Sequence, residues 1–106
     1  MKFEVVFLEE ASKEYRKLDG SVKKLVNVAI AKMQERADEL GEDLTNKHGV
    51  NLIGCRKIKF RNAGIRIVYR IVGDKAEIAE IITVGKREDN EVYKIAAKRL
   101  ESLKSQ

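Results

Sequence analysis

The chain has no proline and only one cysteine and one histidine among its 106 residues. With no proline, no low-complexity tract and no internal repeat, nothing marks a linker, and the length suits a single domain over 1–106. Cys55 alone cannot close an internal disulfide, and without a thiol neighbour it cannot found a structural zinc site. A reducing compartment, the cytoplasm, is the simplest expectation. No apolar run nears the ~20 residues of a membrane span. The opening Met-Lys-Phe-Glu-Val-Val is too soon charged to be a signal peptide. Disulfide scaffolds, collagen-like chains and transmembrane chains are thereby excluded. Disorder is excluded by what is present: 43% hydrophobic residues against 37% charged, enough for a modest core.

The charge is unevenly placed. Residues 1–54 hold 9 Lys and Arg against 10 Asp and Glu, whereas residues 55–106 hold 13 against 7. Arg56 to Arg70, RKIKFRNAGIRIVYR, has six basic residues and no acid, and the nearest acid that follows is Asp74. A solubility face would mix Glu with Lys. An unmixed one attracts polyanions, of which nucleic acid is the common kind.

Periodicity orders the elements. Residues 2–7 are β-rich. Leu8, Ala11, Tyr15 and Leu18 predict a helix over 9–18. Asp19-Gly20-Ser21 breaks it and supplies a new N-cap. Val22, Leu25, Val26, Ala29, Ile30, Met33 and Ala37 mark a second helix ending near Leu40-Gly41, so the pair forms a helical hairpin. Residues 42–53 are polar and irregular, with turn signals at Asn46 and Gly49. Strands are expected at 55–61, 65–72 and 76–84, with turns at Asn62-Ala63-Gly64 and Gly73-Asp74. From Asp89, which can cap it, Val92, Ile95, Ala96, Leu100 and Leu103 predict a last helix. The order β-α-α-β-β-β-α implies an α+β fold: an antiparallel sheet with an N-terminal helical hairpin on one face and a C-terminal helix.

Alternation sorts the basic residues. Lys57, Lys59 and Arg61 leave one face of their strand, and Ile58 and Phe60 the other. In the next strand Arg66, Val68 and Arg70 oppose Ile65, Ile67, Tyr69 and Ile71. Pairing Arg61 with Arg66 gathers every cation on one side, whereas a one-residue slip would bury unpaired charge. The helices are then expected on the apolar face, leaving a cationic face uncovered. Tyr69 belongs to the core.

The run RKIKFRNAGIRIVYRI, then ITVGKRE, then EVYKIAAKRL resembles the RelE branch of the RelE/ParE toxin superfamily. FLEEASKEYRKLDGSVKKLV is similar to that family's helical hairpin. The resemblance spans about residues 3–100. It departs from many relatives at Ala37, where they carry proline, and in a longer connection from Leu40 to Leu52. It implies the toxin of a type II toxin–antitoxin pair that binds the ribosomal 30S A site and cuts mRNA there. It also implies a RelB-like antitoxin as partner, whose helix often displaces the C-terminal helix of the toxin. With Ala96 and Ala97 at its middle, that helix should dock weakly. Residue by residue, Lys57 and Lys59 match the family's lysine pair, Arg61 the arginine ending that strand and Arg66 that of the next. Arg87 matches the arginine after the last strand, and Tyr93 the tyrosine of the C-terminal helix.

RNA can be cut by attack of its own 2′-hydroxyl on the adjacent phosphate. That requires a base, cations for the developing charge and an acid for the leaving oxygen. Histidine is the usual choice, but His48 falls in the polar connection and reads as a surface residue. No cluster of Asp, Glu and His suggests a metal, and no cofactor is expected. Crowded cations favour neutral lysine and anionic tyrosine, which leaves Lys59 and Tyr93 both open as base. The family pattern puts Arg87 at the leaving oxygen and Arg66 at the scissile phosphate, with Lys57 and Arg61 gripping RNA. Two other readings stand beside this one. A ParE-like gyrase inhibitor would share the fold, and a non-catalytic nucleic-acid module would use the same cationic sheet. The second would be expected to expose stacking aromatics, which this face lacks. Cys55 lies beside Arg56, which could activate the thiol, but no histidine partner is evident.

Overall fold

The computed structural model describes residues 2–44, 52–86 and 88–104, side chains at 89, 90 and 104 apart. His48, Asn46 and Gly49 lie outside these residues, as does Arg87. Strand β1 (Glu4–Phe7) leads into helix α1 (Glu9–Arg16) and helix α2 (Gly20–Arg36). A two-residue strand β2 (Glu42–Asp43) follows, then β3 (Cys55–Phe60), β4 (Ile65–Val72), β5 (Ile78–Gly85) and helix α3 (Asp89–Lys104). The expected order holds, with β2 as a short addition inside the connection. The sheet runs β1-β5-β4-β3-β2. Its β3–β4–β5 meander is antiparallel as expected, and β1 joins beside β5 in parallel.

Local chemistry accounts for the hairpin of helices. Asp19 caps α2, its Oδ1 accepting from the Val22 N–H at 3.0 Å and from the Ser21 hydroxyl at 2.7 Å. Those hydrogen bonds hold the Asp19 carboxyl below its ordinary range. Val22, Val26, Ala29 and Met33 of α2 are buried against Ile65, Ile67, Tyr69 and Ile81 of the sheet. Leu25, expected on this face, is instead exposed.

Helix α2 ends at Arg36, earlier than its apolar pattern suggests, and the sheet takes up carbonyls that follow it. The Tyr69 hydroxyl donates to the Ala37 carbonyl at 2.7 Å and lies 3.1 Å from that of Leu40. Arg56 Nε donates to the same Leu40 carbonyl at 2.6 Å. Gly41 then turns with φ +68°, and a Cβ there would collide with the Lys57 carbonyl.

The register of the basic hairpin corrects one expectation. Lys59, not Arg61, lies opposite Arg66, and Phe60 lies opposite Ile65. The shift is two residues, so Lys57, Lys59 and Arg66 keep the expected face, whereas Arg56, expected with the other cations, leaves on the α2 side toward the Leu40 carbonyl. The cause of the shift is Ile65: pairing Arg61 with Arg66 would leave that side chain in the turn, whereas the adopted register buries it completely.

The second correction concerns α3, which packs on the cationic face. That face is not purely cationic. Cys55, Val68 and Ile82 interleave with the cations, and Val92, Tyr93, Ala96 and Leu100 of α3 cover them. A bulge assists. Val68 pairs with Thr83 and Tyr69 with Ile81, so Ile82 is the extra residue and turns toward α3, whereas Ile81 and Val84 remain in the α2 core.

Candidate active site

Four cations leave the sheet on the α3 side: Lys57 and Lys59 from β3, Arg66 and Arg70 from β4. The hairpin sets Lys59 directly across from Arg66. Lys59 is exposed and Arg66 half-buried, with Arg66 Nη1 at 3.5 Å from the Gly64 carbonyl. Two cations so close repel each other, which favours an anion between them. Arg61 is exposed in the turn beyond the strand, at the rim of the group.

Lys57 is held more tightly. Its side chain is 11% exposed, and its Nζ lies 3.5 Å from Glu42 Oε2 of the neighbouring β2. The same ammonium sits 5.5 Å from the centre of the Tyr93 ring, within reach of a cation–π interaction. Tyr93 itself is fully buried beneath α3. The fold thus brings Lys57, Lys59, Arg66 and Tyr93 together, places Arg61 at the edge, and leaves Arg87 outside the described residues.

The basic run lacks acids in sequence, but not in space. Glu42 faces Lys57 across β2–β3, and Glu80 faces Arg70 across β4–β5, its Oε1 accepting from Arg70 Nε at 2.7 Å. These partners were missed because sheet pairing, not sequence proximity, supplies them. Tyr69 lies in the core as expected, and burial pushes its phenol above its ordinary range. Burial likewise pushes the Cys55 thiol up to about 11, which outweighs the pull of Arg70 and overturns any activation by Arg56. Among the described residues no three His, Cys, Asp or Glu side chains come together as metal ligands. No described helix is long and apolar enough to cross a membrane.

The chain and its fold are similar to known proteins. Residues 5–91 match the ParE toxin family of type II toxin–antitoxin systems, parDE. The mRNA interferase toxin RelE of Escherichia coli (strain K12) is 34% identical over 100 residues, covering 94% of this chain and 99% of that protein. Among solved structures, a double-arginine mutant of E. coli toxin RelE in the free state superposes with a TM-score of 0.72 at 32% identity, covering 94% of this chain and 99% of the other. The same mutant bound to a peptide of the antitoxin RelB gives 0.71 at 33% identity, covering 93% and 98%.

Proposed function

The chain belongs to the RelE/ParE superfamily of type II toxins, and from that membership we propose that it is a ribosome-dependent mRNA interferase. The observation that carries this reading is the facing pair Lys59 and Arg66, with Lys57 and Tyr93 beside it, in a chain similar over nearly its whole length to an mRNA interferase.

The cleavage needs neither metal nor protein nucleophile. The 2′-hydroxyl oxygen attacks the adjacent phosphorus, the bond to the 5′-oxygen breaks, and a cyclic phosphate is left. Lys59 is exposed and stands across from Arg66, so it is the better placed of the two candidate bases. Tyr93, fully buried with its ring beside the Lys57 ammonium, is the less accessible of the two and serves the site where α3 holds it. Arg66 stabilises charge gathering on the phosphorane oxygens, and Arg87 acts at the leaving oxygen. Lys57 and Arg61 bind flanking phosphates. Cations hold RNA but do not by themselves align the 2′-hydroxyl with the leaving oxygen, and alignment is a large share of the barrier. The ribosome supplies it by holding the mRNA in the 30S A site, which places the activity in the cytoplasm. A RelB-like antitoxin, acidic and partly disordered when free, neutralises the toxin by folding onto it.

Primer extension on a translated message tests the reading. Cuts that appear with ribosomes and vanish on naked mRNA support it. Equal cutting of naked mRNA removes the ribosome's role. The ParE name of the matching family favours one other reading, inhibition of DNA gyrase. Loss of supercoiling with intact message would replace the proposal with that one.

A further inference from the structure

Helix α3 is fastened to the body of the protein by more than its short apolar face. Glu14 of α1 and Arg99 of α3, distant in sequence, meet beside β5. Arg99 Nη1 lies 2.8 Å from Glu14 Oε1, and Nη2 lies 3.3 Å from Oε2. Both side chains are largely enclosed, at 19% and 16% exposure. Both are also hydrogen-bonded to β5. Glu14 Oε1 also accepts from the Thr83 hydroxyl at 2.9 Å and the Val84 N–H at 3.3 Å. Arg99 Nη1 also donates to the Ile82 carbonyl at 2.8 Å.

The placement has a reason. Strand β1 stops at Phe7, opposite Ile81, and the Leu8 N–H makes the last bond to the Ile81 carbonyl, at 3.0 Å. Beyond that point the outer edge of β5 has no strand beside it among the described residues, and the ion pair takes up the Ile82 carbonyl and the Val84 N–H instead. One guanidinium fork thereby joins α1, the end of β5 and α3.

We propose that Glu14 and Arg99 are positioning residues for the cleavage site: they fix where α3 lies along and around the sheet, and so hold Tyr93 against Lys57. The inference rests on the reading of Tyr93 as a member of that site. Arg99 follows Tyr93 by less than two helical turns, about 9 Å along the axis. Between them the contact face is narrow, with Ala96 at its middle, and a small smooth residue does little to prevent a helix from sliding or rolling. A two-pronged bond to a carboxylate that is itself held by two other groups tolerates neither movement.

Protein carrying 3-fluorotyrosine provides the test, because Tyr15, Tyr69 and Tyr93 give separate fluorine resonances that single Tyr→Phe changes assign. Arg99→Met should shift or broaden the Tyr93 line and leave the Tyr69 line in place. Cleavage at saturating ribosomes should fall about tenfold or more, with ribosome affinity changed less than about twofold. Arg99→Lys, which keeps the charge but not the fork, should fall between. An unmoved Tyr93 line in Arg99→Met overturns the proposal whatever happens to activity. A moved line with unchanged cleavage leaves the positioning role standing and removes Tyr93 from the chemistry. If Arg99→Met also loses the Tyr69 line, it has not folded. Glu14→Gln, which keeps an acceptor for Thr83 and Val84, then decides by the same Tyr93 line.

Discussion

Lys57 and Lys59 are two residues apart on one strand, yet the fold gives them different situations. Lys57 is enclosed between the Glu42 carboxylate and the Tyr93 ring, whereas Lys59 is exposed across from Arg66. Glu42 therefore competes with any phosphate that Lys57 would bind. Glu42→Gln should tighten binding of an unstructured RNA and steepen its salt dependence by up to about one ion. Its effect on stability should stay within about 0.5 kcal/mol, because the pair is partly solvated. Filter binding across a salt series measures the first, urea denaturation the second, and unchanged RNA affinity would show that Glu42 does not compete. Arg66→Ala should act differently. If Arg66 stabilises charge that arises only in the transition state, its loss costs about 3 kcal/mol, on the order of a hundredfold in cleavage rate. Ribosome affinity should be nearly kept, and single-turnover cleavage set beside sedimentation binding separates the two.

At the scale of elements, the end of α2 is the joint that matters to the site. The Ala37 and Leu40 carbonyls that follow it go to Tyr69 and Arg56 of the sheet, and Gly41 then passes so close to β3 that Lys57 lies against its backbone. The chain after Gly41 is β2, which carries Glu42. Gly41→Ala should cost about 1 kcal/mol or more, through both the positive φ and the collision with the Lys57 carbonyl. Because relief of that collision must push β2 from β3, the Lys57 amide should exchange faster than amides of β4. Urea midpoints and amide exchange check the two parts, and a neutral substitution would mean that β2 is not tied to β3 as described.

For the whole molecule, acid is the informative stress. Burial raises the pKa of Glu14, but hydrogen bonds from Arg99 and Thr83, the Arg99 charge and the Val84 N–H outweigh it and hold the carboxyl below its ordinary 4.5. A carboxylate whose pKa is lower folded than unfolded adds stability that is complete above the unfolded value. That stability is lost as pH falls through the folded one. Corrected for intrinsic rates, amides of 92–100 should therefore gain exchange relative to those of 65–72 between about pH 6 and about pH 3. Arg99→Met should remove most of this difference, since the low pKa depends on Arg99. A difference that persists in Arg99→Met would place the acid-sensitive group elsewhere.

Residues near in sequence settled much of this protein. The two-residue period put Lys57, Lys59 and Arg66 on one face and Ile58, Phe60 and Ile67 on the other, because a strand allows no other arrangement. Asp19 announced the start of α2 through its capping oxygen, and the apolar spacing from Val92 to Leu100 announced α3. Resemblance of the chain's motifs to a known family supplied that family and named the candidate site residues. What local pattern does not contain is which distant groups meet. The pairing of Lys59 with Arg66 was decided by burial of Ile65, the cover over the cationic face by Val68 and Ile82 within it, and the partners of Lys57 and Arg70 by strand neighbours. The Glu14–Arg99 pair joins the two ends of the chain, and each member alone looks like an ordinary surface charge. Only the stopping of β1 short of the end of β5 makes a place that both must fill.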